Sequence, residues 1–115
     1  MGQNKRVSIG KFITSMCWMS LRTETTASGA ERKTWEPTSV FLADIESESH
    51  ETDTSEGQRR EVFSIVFVSW YKPVGVDQQV RYNGKRYAIS SIEPLENRLY
   101  GRYTCKTDGY ADSES

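Results

Sequence analysis

The chain has 115 residues, which suits one domain with one modest core. Hydrophobic residues make up 36% of it, the mean hydropathy is −0.67 and the net charge is −1. No apolar run approaches the ~20 residues of a helical membrane span, and a pI of 5.9 lacks the basic footprint of a general nucleic-acid binder.

Residues 1–14 read as an N-terminal arm. Val7, Ile9 and Lys11 alternate with Ser8 and Gly10, a pattern for an edge strand or for an extended arm that packs on a neighbouring subunit. Polar residues interrupt every apolar cluster after Met1, so a cytoplasmic start without a signal peptide is expected. A barrel domain over 15–106 follows, beginning with a strand from Ser15 to Thr25. Its alternation sets Cys17, Met19 and Leu21 on the core face and Trp18 on the outer face, where a large aromatic is covered either by a loop or the N-terminal arm or by a subunit interface. Thr26 to Ala30 is a turn, Pro37 marks an edge or bulge, and Val40 to Ile45 is the next strand.

Glu46 to Arg60 contains no apolar residue and is expected to be a long acidic loop. Val62 to Trp70 is β-branched and aromatic on both faces and uncharged, as in a strand covered on both sides. Phe63, Ile65 and Phe67 are assigned to its core face. Asn83-Gly84 lies between alternating runs, a type I′ hairpin signal because both central residues need φ > 0. A two-residue loop sets Tyr82 opposite Lys85, Arg81 opposite Arg86 and Val80 opposite Tyr87, with Val80, Tyr87 and Ile89 facing the core. Ser90-Ser91 breaks the alternation as a bulge would, and Pro94 to Arg98 is a turn. In the last strand Leu99, Gly101, Tyr103 and Cys105 share one face. Residues 107–115 form an acidic tail.

About six short strands and no helical periodicity imply an all-β chain, a small antiparallel barrel that closes to remove its edges. Charge is segregated along it: residues 44–61 hold seven acids against Arg59 and Arg60, while 72–106 hold seven bases against three acids. An acidic loop and a basic body permit head-to-tail contact between copies.

The expected chemistry is not catalytic. No Gly-rich phosphate loop is present, and the one histidine, His50, sits in a polar stretch without an evident nucleophile. Cys17 and Cys105 are too few and too far apart for a zinc site, and are read as reduced thiols. Glu46, Glu48, Glu51 and Asp53 lack the spacing and glycine of an EF-hand, so no metal and no cofactor are expected.

The order Phe63-Ser64-Ile65, Trp70-Tyr71, Val76-Asp77, Val80 to Ile89, Arg98, Leu99-Tyr100 and Cys105 resembles the tailed-phage head–tail joining proteins, also called head completion, head closure or stopper proteins. Gly84, Lys85, Tyr87, Ile89 and Arg98 match that family's hairpin and turn pattern. Ser28-Gly29-Ala30, Trp35, Ala43 and Arg59/Arg60 resemble its first half. The resemblance spans residues 15–106; the long N-terminal segment and the acidity of the central stretch depart from it.

It implies a β-barrel virion protein that forms a homo-oligomeric ring, dodecameric in the virion and monomeric alone. The ring sits in the head–tail neck, binds the portal–adaptor and the tail terminator or tail tube, and lets packaged DNA pass without sequence-specific binding or membrane contact. The stretch Glu46 to Arg60 then becomes the channel loop, carrying Glu46, Glu48, His50, Glu51, Asp53 and Glu56. Trp18, Arg59, Arg60, Arg81 and Arg86 become subunit or partner contacts. Other readings are a tail-terminator or minor tail protein, and an OB- or SH3-like nucleic-acid binder. That binder would use Trp70, Tyr71, Tyr82, Tyr100 and Tyr103 with Arg81, Arg86 and Arg102 as a stacking platform.

Overall fold

The computed structural model describes residues 7–54, 57, 59–75 and 78–107. The first six residues of the expected arm and the acidic tail beyond Thr107 lie outside the described residues. Six antiparallel strands account for most of the described chain: β1 (Thr14–Thr25), β2 (Glu31–Asp53), β3 (Arg60–Trp70), β4 (Gln78–Tyr82), β5 (Lys85–Leu95) and β6 (Tyr100–Thr107). A short 3₁₀ turn, Ile9–Lys11, precedes them. The strands close in the order β1-β2-β3-β6-β5-β4, with β4 returning to β1. The sheet is the expected small all-β barrel.

Strand β2 is its spine. At about 3.3 Å per residue, its 23 residues outrun the barrel at both ends. Its first half, Glu31 to Ala43, pairs with β1, and its second half, Asp44 to Asp53, pairs with β3. Two-stranded arms result. The β1–β2 arm passes the end of β4, whose pairing with β1 stops at Ser20, and the β2–β3 arm passes the end of β6, whose pairing with β3 stops at Ser64.

The expected loop over 46–60 is therefore corrected. Glu46 to Asp53 is strand, paired residue by residue with β3 down to Asp53–Arg60. Composition hid this because neither face of these β2 residues enters the core. The apolar side chains that hold the arm, Val62, Phe63 and Ile65, are supplied by β3 across the ladder.

The core is filled by side chains. Phe67 stacks on Tyr103 at 4.7 Å between centroids, Phe41 lies 5.7 Å from Phe67, and Trp18 stacks on Phe41 at 4.8 Å. Ile65, Val80, Tyr87 and Cys105 complete the buried cluster, with Phe63 and Ile89 packed against it, as the sequence pattern predicts for both strands. Buried polar atoms are satisfied: Ser69 Oγ donates to the Leu42 carbonyl at 2.7 Å, and Tyr103 Oη donates to the Trp70 carbonyl at 2.8 Å while accepting from the Lys72 amide at 2.9 Å. Burial pushes the Tyr103 phenol and the Cys105 thiol up, each to about 12, so both stay neutral.

Trp18 is corrected from the outer face to the core, at 5% exposure. Both faces of β1 are apolar, Met16 and Trp18 on one and Cys17 and Met19 on the other, so alternation alone could not choose the inner one. The aromatic shelf of Phe41 and Tyr103 takes the larger pair. A bulge at Thr38 shifts the register, so that Trp18 faces Ser39 while Met19 faces Pro37. The Thr38 hydroxyl donates to the Trp18 carbonyl at 3.2 Å and stabilises that irregularity.

The Asn83-Gly84 hairpin has the predicted register, Tyr82–Lys85, Arg81–Arg86 and Val80–Tyr87, with φ of 55° and 78° at the two turn residues. The bulge at Ser90 is present between Ile89–Cys105 and Ser91–Thr104. Pro94 lies in β5 opposite Gly101 rather than in a turn. The reversal falls on Glu96, Asn97 and Arg98, all at positive φ, and it leaves Leu99 exposed, before β6 begins at Tyr100. Gly101 is buried where an added Cβ would stand 3.3 Å from both Ile92 Cγ2 and Tyr71 Cδ1.

Candidate assembly surfaces at the two ends of the barrel

Glu46 begins the β2–β3 arm as a bulge residue: Ile45 faces Phe67 and Ser47 faces Val66, with Glu46 extra between them. The bulge has two effects. It frees Glu46 to accept from Arg102 Nε at 2.8 Å and Nη2 at 3.4 Å, while Glu93 on β5 accepts from Arg102 Nη1 at 2.9 Å. This three-strand clasp lies on the outer face and raises the guanidinium's pKa, chiefly through the two carboxylate hydrogen bonds. The bulge also sets the phase of the arm, so that Glu48 and His50 lie on the face continuous with the core.

That face carries polar side chains at the mouth of the barrel. Tyr82 Oη donates to Glu48 at 3.4 Å. Desolvation, with the nearby Glu48 carboxylate second, raises the Tyr82 pKa. Burial pushes Tyr87 up to about 12. His50 stacks on its cross-strand partner Phe63, 4.2 Å and 2° between rings, and Lys85 Nζ lies 4.4 Å from the Phe63 centroid. His50 also hydrogen-bonds Glu61, which the Thr52 hydroxyl and Arg59 Nε reach at 3.4 and 3.3 Å. The His50 bond is the main cause holding the Glu61 carboxyl below its usual range.

The predicted channel residues thus separate. Glu46 is clasped on the outer face and Glu48 serves the mouth. His50 braces the arm, while Glu51 stands exposed opposite Val62. Asp53 ends the strand opposite Arg60, and Glu56 lies outside the described residues.

Of the predicted interface arginines, Arg59 and Arg86 make contacts within the chain, while Arg60 stands opposite Asp53 in register. Arg59 serves Glu61. Arg86 Nε donates to Gln79 Oε1 at 2.8 Å, and its guanidinium lies 5.2 Å from the Trp35 ring centroid. Arg81 stands between Cys17 and Arg86 in register.

The opposite end is apolar. Phe12 is buried edge-on against Trp70 at 4.7 Å and Tyr100 at 5.8 Å. Around it are the exposed large hydrophobic residues Ile9, Ile13 (79% exposed), Val40 (70%), Leu42, Trp70 (46%) and Leu99. Leu42 follows the ladder to the level of Trp70, and the Leu99 carbonyl accepts from the Tyr71 amide at 3.1 Å, which brings these three together. Sequence reading missed this surface because its residues come from separate stretches of the chain: the N-terminal segment, β2, the end of β3 and the turn before β6. The residues of the expected stacking platform are dispersed: Tyr103 is fully buried and Tyr82 hydrogen-bonds Glu48, while Phe12 packs edge-on against Trp70 and Tyr100.

No family model matches the sequence, and no curated protein matches it. Among solved structures, the fold matches a chain of the "Virion of native gene transfer agent (GTA) particle", with a TM-score of 0.62 at 14% identity, over 81% of this chain and 91% of that one. The likeness is one of fold, and it takes in nearly the whole of the neighbour.

Proposed function

We propose that this chain is a non-catalytic structural protein of a phage-like virion. The observation that carries the reading is the fold shared along 91% of a chain from a gene transfer agent virion. The apolar end around Trp70 supports it, since exposed patches of this kind mark sites covered by another protein. Within the virion we assign the chain to the head–tail neck, as a head-closure ring between the portal–adaptor and the tail terminator or tail tube. Support for that finer assignment is the hairpin and turn pattern of Gly84, Lys85, Tyr87, Ile89 and Arg98, together with two arms leaving opposite ends of the barrel.

A barrel plugged by Phe67, Tyr103 and Trp18 has no lumen of its own, so DNA would pass through the centre of the ring rather than through a subunit. In this arrangement the outer carboxylates of the β2–β3 arm border the passage. An anionic border does not bind phosphate and lets DNA slide.

Purified protein mixed with the portal–adaptor complex of the same particle tests this by light scattering and electron microscopy. A ring added on the portal–adaptor axis is the expected result. Binding to isolated tails alone would replace the head-closure role with a tail-terminator one. Binding to neither, with tight salt-sensitive binding to single-stranded DNA, would overturn both.

A further inference from the structure

The outer border of β2 changes character at Ala43. From Glu31 to Ala43 its edge is covered by β1, which begins at Thr14 opposite Ala43. Among the described residues, from Asp44 to Asp53 only the other edge is hydrogen-bonded, to β3. The barrel therefore closes, yet about 30 Å of one strand edge stays open along the arm, at ~3.3 Å per residue. Open edges of this length are templates for another strand and are usually blunted by charged side chains, lysine above all, by proline or by a covering element; an edge that carries only acids repels its own copy but not a basic strand. Here the stretch 44–53 has no lysine, arginine or proline; it carries Asp44, Glu46, Glu48, Glu51 and Asp53, and every described side chain from Glu46 to Thr52 is exposed.

A strand added to this edge should be basic, short of acids and able to extend. One stretch of the chain has that composition. Residues 1–9 carry Lys5 and Arg6, no acid, and the alternation of Val7 and Ile9. Extended, nine residues reach along about 30 Å of a strand edge. Within the subunit, the described part of this segment is weakly held. The Val7 amide donates to the exposed Glu96 carboxylate and Ile9 is half exposed, whereas Phe12 is buried. Gly10 lies between the loose and the anchored parts, in the 3₁₀ turn, with only Ser8 Oγ near the place of an added Cβ.

We infer that residues 1–9 of one copy add as a strand to the Asp44–Asp53 edge of a second copy, hinging at Gly10 about the Phe12 anchor. The backbone ladder supplies affinity. Lys5 and Arg6 point to opposite faces of such a strand, so one meets Glu48 on the mouth side and the other Glu51 on the outer side, and this pairing selects the segment and its direction. The contact is heterologous, because the donor and acceptor are different surfaces, so its repetition builds a ring or a filament rather than a two-fold dimer. This deepens the assembly reading above and rests on copies meeting one another.

The test is hydrogen exchange of the full chain, dilute and then concentrated or assembled, compared with a Lys5→Glu/Arg6→Glu variant. These substitutions lie outside the barrel and leave its folding intact. On assembly, alternate amides between Asp44 and Asp53 should slow at least tenfold in the wild type and not in the variant. Protection should return when the variant is mixed with a Glu48→Lys/Glu51→Lys chain. It should also fall as salt rises, since the charges that select the strand are exposed.

Amides in 44–53 that remain open on assembly, or that are protected equally in the variant, overturn the inference. Entry of the variant into particles with the edge unprotected would do so while leaving the virion role standing. Edge protection in self-association without entry into particles would keep the strand exchange and remove the virion role.

Discussion

The barrel and the β2–β3 arm are made from the same strand and held by opposite means. In the barrel, β2 contributes Phe41 and Ala43 to a dry cluster in which Phe67 and Tyr103 are fully buried. Further along, the same strand contributes His50 and Thr52 to an exposed ladder held by polar contacts around Glu61. The first region is stabilised by apolar area removed from water, a short-range and salt-insensitive effect. The second relies on backbone pairing and surface charge, which salt and pH weaken. Regions of the second kind open locally without global unfolding, which suits a part that orders against a neighbour.

The contrast breaks first at the core. Phe67→Ala leaves a cavity beside Tyr103 and is expected to lower stability by about 3–5 kcal/mol; equilibrium denaturation reads it, with a full-amplitude loss of near-ultraviolet dichroism at the lowered midpoint. Gly101→Val comes next. Its side chain meets Ile92 and Tyr71 at close range, and overpacking of this kind costs about 1–3 kcal/mol, measurable on the same denaturation curve.

The clasp between arm and barrel is weaker. Arg102→Met removes both carboxylate contacts on a partly exposed face, so the expected loss is under about 1 kcal/mol and shrinks in high salt. Thermal midpoints at low and high ionic strength distinguish it from a packing defect, which would be insensitive to salt.

The smallest effect sharpens the contrast. Glu61 is held below its usual carboxylate range, mainly by His50. Its contribution is complete above the ordinary carboxylate value and is lost as pH falls through the lowered one. Amides of residues 50–52 and 60–62 should therefore open more readily in acid after correction for intrinsic exchange, while those of Phe67 and Tyr103 do not change. His50→Ala should remove most of that difference. Equal acid sensitivity in the barrel would show that the two regions unfold as one unit.

Much of the fold was legible in the sequence, and where it was not, the cause is specific. Val62 to Trp70 and the Asn83-Gly84 hairpin declare themselves because β-branched runs and positive-φ residues are local requirements. The hairpin's register comes from its loop length alone. Glu46 to Asp53 could not be read in this way, because an acidic strand has no local reason to be a strand; it is one because Arg60 to Val66 lies beside it. Alternation misplaces Trp18 for a related reason: two apolar faces compete for one interior, and the winner depends on Phe41 and Tyr103, which come from other strands.

The candidate surfaces divide in the same way. By itself, the sequence determined that the chain is all-β, that its charge is segregated, and that it turns at Asn83-Gly84. Each of these depends on neighbours in the chain. Only the tertiary structure decided that Arg102 joins Glu46 to Glu93, that Arg86 rests on Trp35, and that β2 keeps an open acidic edge. Those depend on bulges at Thr38 and Glu46 and on where β1 stops, because a single extra residue exchanges the two faces of a strand.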